Sequence, residues 1–548
     1  MTVSLGHSFL SLFKGDNMKK IISLLLVFAL LFGFAACTDN TSENPDTETT
    51  TAVDETGNNK STKKKNAVEF ISVYRNNGYD FRQHPETYES LTEVRYQTLY
   101  LSDTDTKKYP RLAKSLEALN EERTNISEKT AKELFEYALE QYNYYYEDGG
   151  EPMVFTANQK YVLQRADNVI LSLRSDYDEF SGGLHPNYGS GGYNYDTVTG
   201  KELLITDVMT DISNLPAILA EKIKANDESE GEFFEGLEET LSEYTAEQFN
   251  WTVGYQGITF YFSPYEIASY AAGLITATVY FDEYPGLFNK KYTVVPDSYA
   301  CELPEWNDVE FDMNPDDDKK DMISLELSYF DEGAYEEIRI SLNGKEYITD
   351  GVELLGAEYY LVNMNGKYFV YVVTQEFNDY SKLIVYDLNA GKIKENDTMN
   401  RTALEALYFE NENDEGCAVD QIFNDPTKFV LETKFDLLST YSARKTYSVN
   451  PETGIPETKD ELYTISDSRF FIITSKVDIT VKILPDMKEE VIPSGSDFEL
   501  IRTDGKTFVD AKLSDGREFR INLERENYQL CINGTPDYEC FETLYYAG

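Results

Sequence analysis

Apolar side chains recur along this chain with two periods, and each period predicts a different element. After Tyr109-Pro110, Leu112, Leu116 and Leu119 keep to one helical face, and after Ser127 so do Leu134, Ala138 and Tyr142, which predicts two helices. Leu215, Leu219 and Ile223 mark another, as do Phe234, Leu237 and Leu241. Between them stand runs of β-branched and aromatic residues: Arg95 to Leu101, Tyr161 to Gln164, Val169 to Leu173, Tyr193 to Asp196, Ile258 to Phe262 and Leu274 to Phe281. Strands and helices are interspersed, and hairpin turns such as Ala166-Asp167-Asn168 join neighbouring strands. Residues 67–296 are therefore expected to form an α+β domain, an antiparallel sheet with helices on one face.

Beyond a linker at 297–321 the pattern becomes almost wholly β. Turns at Asn343-Gly344, Asn365-Gly366 and Asn389-Ala390-Gly391 fall about 23 residues apart, the spacing of successive hairpins. Residues 322–465 are expected to be an all-β meander or a partial propeller, since a full propeller needs at least four blades of about 40 residues. In 466–548, Asp504-Gly505 and Asp515-Gly516 punctuate short strands, and a small SH3-like barrel fits that spacing.

The N-terminal pattern differs from both. Lys19-Lys20 precede an apolar run from Ile21 to Phe34, and Ala35-Ala36 lead into Cys37. This resembles the lipobox of a bacterial lipoprotein signal peptide, with Phe34 where Leu is usual. The resemblance implies removal of residues 1–36, with Met18 as the true start, lipidation of Cys37, and attachment to the outer face of the cell membrane. A plain secretory signal that leaves Cys37 a free thiol is the alternative. Residues 37–66, polar and almost without large apolar side chains, are expected to be a disordered tether.

The charge narrows the partners. With 98 acidic against 49 basic residues and a net charge of −49, the surface repels nucleic acid. It suits a cationic protein, loosely held divalent ions, or simple solubility. Chemistry is sparse. The histidines number three, and neither His84 nor His185 stands in a catalytic or zinc-binding motif. Asp312-x-Asn314-x-Asp316-x-Asp318 starts like a calcium loop but has Asp317 where Gly is required and Ile323 where Glu closes the site. No cofactor or metal is expected, and an enzyme is less expected than a binding protein; two carboxylates acting on glycan remain the enzymatic alternative. Cys531 and Cys540 flank the hairpin turn Asn533-Gly534, which predicts facing strands and a disulfide.

Two further segments stand out: Ser181-Gly182-Gly183-Leu184-His185-Pro186 and Tyr261 to Gly273, the latter containing Pro264-Tyr265-Glu266-Ile267-Ala268 and Tyr270. Gly182 and Gly183 open backbone angles closed to other residues, and Pro186 holds His185 extended, so the chain turns sharply there. Turn chemistry alone accounts for these residue types. With Tyr193 to Asp196 and Thr199-Gly200-Lys201 between them, the two segments together resemble the RsiV-like domain, over roughly residues 150–290. That family is named for the extracellular part of an anti-sigma factor that recognises lysozyme, and the domain also accompanies a peptidoglycan deacetylase.

The resemblance implies a helical companion part at 67–149, a core part at 150–296, and a functional surface carrying Ser181, Gly182, Gly183, His185, Pro264, Tyr265 and Tyr270. Leu184 departs from the family's usual Ala. No membrane-spanning or sigma-binding segment and no deacetylase domain is read in the sequence, so neither of those roles is expected. What carries over is a cell-surface binding or sensing module for a cationic, lysozyme-like protein or a cell-wall component. A structural accessory lipoprotein is a further alternative.

Overall fold

The computed structural model describes residues 68–547 except 148–152, 227–232, 235, 306, 316–318, 332–333, 378–379, 411–415, 467, 469–470 and 527. Cys37, the leader, the tether and Asp316 to Asp318 lie outside the described residues. Strand outweighs helix, 51% to 16%, and nearly all pairing is antiparallel, so the fold is α+β with few helices.

The first sheet begins with β1 (Val73–Gln83), β2 (Ser90–Leu101), β3 (Phe155–Ala166), β4 (Ile170–Phe180) and β5 (Asn187–Asp196), neighbours in that order. β2 and β3 are parallel, and the crossover between them is made by a short helix, Asp103–Lys108, and a long one, Pro110–Glu147. The two helices expected on either side of Ser127 are thus one. Ser127 is buried within it, and the apolar stripe runs through from Leu112 to Tyr142 against one face of the sheet. Pro110 suits the first helical position, where no N–H partner is lost.

β2 and β3 pair only from Thr92 to Arg95 and then splay apart. Side-chain amides take over the backbone groups left behind. Gln97 N–H donates to Gln159 Oε1 (3.2 Å), Tyr161 N–H to Gln97 Oε1 (2.6 Å), and Asn120 both accepts from Leu99 N–H and donates to its carbonyl (2.8 Å each). Two later strands, Ala406–Glu410 and Gly416–Gln421, complete this sheet on the outer edge of β1.

A three-stranded sheet, β6 (Asn250–Val253), β7 (Gly257–Phe262) and β8 (Ile275–Tyr280), lies on the other face of β4 and β5. Val253 N–H donates to Ser172 Oγ, and Asn194 Nδ2 donates to the Trp251 carbonyl (2.8 and 2.7 Å). Gly192 lets β6 come this close, because a Cβ there would collide with that same Trp251 carbonyl. Residues 243–249 form a short separate segment in which the Tyr244 and Phe249 rings lie 5.3 Å apart.

The segment expected to be a linker instead carries strands Ser298–Leu303 and Val309–Phe311. They enter a second sheet with the hairpins that follow, up to Lys394–Asn400. The turns at Asn343-Gly344 and Asn365-Gly366 have the paired positive φ angles of tight hairpins. The chain beyond 465 does not separate as a barrel. Tyr463–Ile465 pairs both Thr440–Val449 and Asp497–Thr503, so one sheet runs through the expected boundary, and among the described residues no sheet closes. Apolar residues bridge the layers: Leu112 of the helix, Tyr161 of β3, Tyr360 and Phe369 of the second sheet, and Phe429 and Tyr447 of the third share one core.

Cys531 and Cys540 are free thiols. The turn at Asn533-Gly534 forms as expected, but the return strand is only Thr535–Pro536, and the chain then enters the helical turn Asp537–Cys540. Pro536 therefore faces Cys531, in the place expected for Cys540.

Where the first and second sheets meet, the Arg75 guanidinium is buried between Glu302 and Glu358, 2.5 Å from each. Glu302 also accepts from Leu163 N–H, and Tyr360 donates to Glu358. Asp420, the cross-strand partner of Arg75, is half-buried beside them. Burial, reinforced by the Glu358 charge and opposed by Arg75, pushes the Asp420 carboxyl up from 3.8 to about 6.

The folded state thus holds this proton to higher pH than the unfolded chain, and the stability it contributes is lost as pH rises from about 4 through about 6. Asp420→Asn is expected to raise the melting temperature at pH 7, with a gain on the order of 1 kcal/mol, and to change little at pH 4. A difference of equal size at both pH values would contradict this origin.

Candidate functional site

The loop between β4 and β5, residues 181–186, and the connection between β7 and β8, residues 263–274, come together although far apart in sequence. In the first, Gly182 and Gly183 take φ of 90° and 113°. A Cβ on Gly183 would meet nothing, so backbone conformation and not crowding explains the glycines. The turn they make leaves Leu184 fully exposed and throws His185 sideways. In the second, Pro264 stops β7, Tyr265 takes φ of 70°, and the turn Tyr270–Ala272 ends at Gly273. Glu266 stabilises the entry by accepting from Ser263 N–H (2.9 Å).

The rings then stack. His185 lies on Tyr270 with centroids 3.7 Å apart and planes 25° from parallel. Tyr188 meets Tyr270 edge-on at 5.5 Å, and Tyr265 lies 5.6 Å away on the outside, mostly exposed. Tyr270 Oη donates to the Pro186 carbonyl (2.7 Å), which is also 3.1 Å from His185 Nδ1. Desolvation, with Tyr188 and Tyr265 alongside, lifts the Tyr270 phenol above its ordinary value, so it remains a donor at physiological pH.

Of the seven residues expected at the surface, His185, Tyr265 and Tyr270 thus form one cluster; Ser181, Gly182, Gly183 and Pro264 shape the two loops that present it. Tyr188 escapes the sequence reading, although its position at the start of a strand directly after the loop is visible there.

A groove of about 1600 Å³ opens beside the cluster. Its floor is the part of the β1–β5 face that neither β6–β8 nor the second sheet covers, and Ala271 to Thr276 form one wall. Within it Asp176 is held by Arg174 and Ser190, and Arg174 lies 5.2 Å over the Tyr261 ring. Burial raises the Asp178 carboxyl, while Asn158, which donates to it at 2.9 Å, and Lys160 lower it.

Elsewhere Asp312, the first oxygen of the calcium-like run, is buried and paired with Lys320 at 2.6 Å. Among the described residues no group of three His, Cys, Asp or Glu is arranged to hold a metal ion. Nor is any helix among them long and apolar enough to cross a membrane.

Residues 202–282, from the segment before the small helices to the end of β8, match the family model DUF3298, a protein family of unknown function. The chain carries a DUF3298 domain. This is the domain found in RsiV-like proteins. Pro264, Tyr265 and Tyr270 fall inside the DUF3298 match, whereas the 181–186 loop lies before it. Solved structures of this family are similar to the chain, two of them as follows. A DUF3298-family member from Bacteroides fragilis NCTC 9343 is 21% identical with a TM-score of 0.31, and the match covers 41% of this chain and 94% of that one. A DUF3298-family protein from Pseudomonas aeruginosa PAO1 is 17% identical with a TM-score of 0.26, covering 41% and 97%. No curated protein matches the chain by sequence.

Proposed function

We propose that this chain is a surface lipoprotein, anchored through Cys37 on the extracytoplasmic side, whose DUF3298 region together with the loop at 181–188 before it recognises a cationic protein of the lysozyme type. The observation that carries this reading is the ring cluster of His185, Tyr188, Tyr265 and Tyr270 beside the fully exposed Leu184. Aromatic side chains already held in place by stacking lose little freedom on binding, and a fully exposed apolar side chain in the same loop has the make-up of an interface anchor. The net charge of −49 supplies the second part, since it draws a basic partner towards the surface and raises the association rate at low salt.

Binding of a basic lysozyme to the full chain, followed calorimetrically, tests both parts. Leu184→Ala combined with Tyr265→Ala is expected to weaken binding about tenfold or more without changing the melting temperature. The wild-type association rate is expected to fall as salt rises. Undiminished affinity in the double variant removes the site; absence of binding at low salt removes the partner.

A further inference from the structure

The groove beside the ring cluster has a floor with an order of its own. Pairing register places Tyr79 of β1 opposite Arg95 of β2, Arg95 opposite Asn158 of β3, Asn158 opposite Asp178 of β4, and Asp178 opposite Tyr188 of β5. Directly paired residues share a face, so these five side chains form one straight row across five strands, about 19 Å long at about 4.8 Å per strand. The row is aromatic at both ends and polar between. At the β1 end Phe81 widens the apolar surface, with its ring 5.3 Å from that of Tyr79, and the two are 51% and 68% exposed.

Three features restrict what could lie along this row. The charges of the row itself cancel, one guanidinium (Arg95) to one carboxylate (Asp178), so in a chain of net charge −49 these five residues favour neither cation nor anion. Along the groove floor β3 and β4 are paired throughout, β2 and β3 are paired up to Arg95, and beyond it the Gln97 and Tyr161 N–H groups are taken by side-chain amides, so an extended peptide gains no ladder of main-chain hydrogen bonds there. The polar middle offers a guanidinium, an amide and a carboxylate within one line, donors and acceptors alternating between two flat apolar surfaces.

We infer that the row Tyr79–Arg95–Asn158–Asp178–Tyr188 is a binding site for a neutral, linear oligosaccharide lying across the strands. The apolar faces of its sugars stack on Tyr79, Phe81 and Tyr188, and its hydroxyls bond to the three polar side chains. The ligand differs from the cationic protein proposed above, and the row does not depend on that reading.

Calorimetric titration of the full chain with chitotetraose and with cellotetraose tests the assignment. Saturable binding of at least one is expected, insensitive to salt, weakened tenfold or more by Tyr79→Ala with Phe81→Ala, and unchanged by Leu184→Ala, which addresses the protein-binding surface alone. Asn158→Ala, which leaves the aromatic ends in place, is expected to weaken it as well. Because Tyr79 and Phe81 are exposed, the double variant is expected to keep the wild-type near-ultraviolet spectrum. Binding of neither sugar, or binding that survives the folded double variant, overturns the assignment. Binding of tetraalanine in their place assigns the row to peptide and overturns it too.

Discussion

Arg75→Met is expected to cost about 3–5 kcal/mol in the first unfolding transition at pH 8, because it strands two carboxylates that share the guanidinium in the buried joint between the first two sheets. Little of this loss reflects the pair's own attraction, which largely offsets the cost of dehydrating it; the loss comes from the charges left behind. Glu302 is buried, and burial already pushes its carboxyl up, so without Arg75 it would shed charge by taking up a proton. The penalty is therefore expected to shrink as pH falls towards 5. Replacing all three together, Arg75→Met with Glu302→Gln and Glu358→Gln, should recover most of the loss. Urea denaturation followed by circular dichroism reads each case, and a single-variant loss below about 1 kcal/mol at pH 8 would show that the joint is held by its apolar surroundings alone.

Gly192→Ala is the second large effect. The added methyl group would occupy the space of the Trp251 carbonyl, which is backbone and cannot swing aside. β6 would have to withdraw from β5, breaking the hydrogen bonds from Asn194 and to Ser172. A loss of roughly 3 kcal/mol or more is expected, with Trp251 emission shifted to the red as water reaches the ring. Gly344→Ala provides the contrast. The space around Gly344 is open and only its φ of 73° resists a side chain, so about 1 kcal/mol is expected there. Equal losses in the two variants would mean that backbone strain, not the close approach of β6, sets the cost at Gly192.

Much of this fold follows from short-range pattern. The leucine stripe along Pro110–Glu147, the Asn-Gly hairpins and the glycines of the 181–186 loop each depend on residues a few positions apart, and each is legible in the amino-acid sequence alone. Ser127 shows the limit. A residue favoured at helix starts is read as a start, whereas here the apolar stripe continues through it and the helix does not break.

The expected linker and barrel fail for a different reason. Ser298–Leu303 finds its partner in Lys345–Met364, and Tyr463–Ile465 finds one in Asp497–Thr503, pairings that no local period reveals. The same holds for the site. His185 and Tyr270 stand out separately in the sequence, and their stacking depends on the docking of β6–β8. The row from Tyr79 to Tyr188 exists only through the register of five strands.

Completion of the first sheet by Gly416–Gln421 has a consequence for how the chain must be made. The outer edge of β1 waits for a partner synthesised more than three hundred positions later, so the earliest layer to emerge stays open until most of the chain has been made. A fragment ending near 296 would carry a bare strand edge, and Arg75 without either of its carboxylates. Dividing the polypeptide by its apparent boundaries would therefore yield a sticky half-product, and recombinant work on the recognition region needs the distant strand kept in the same molecule.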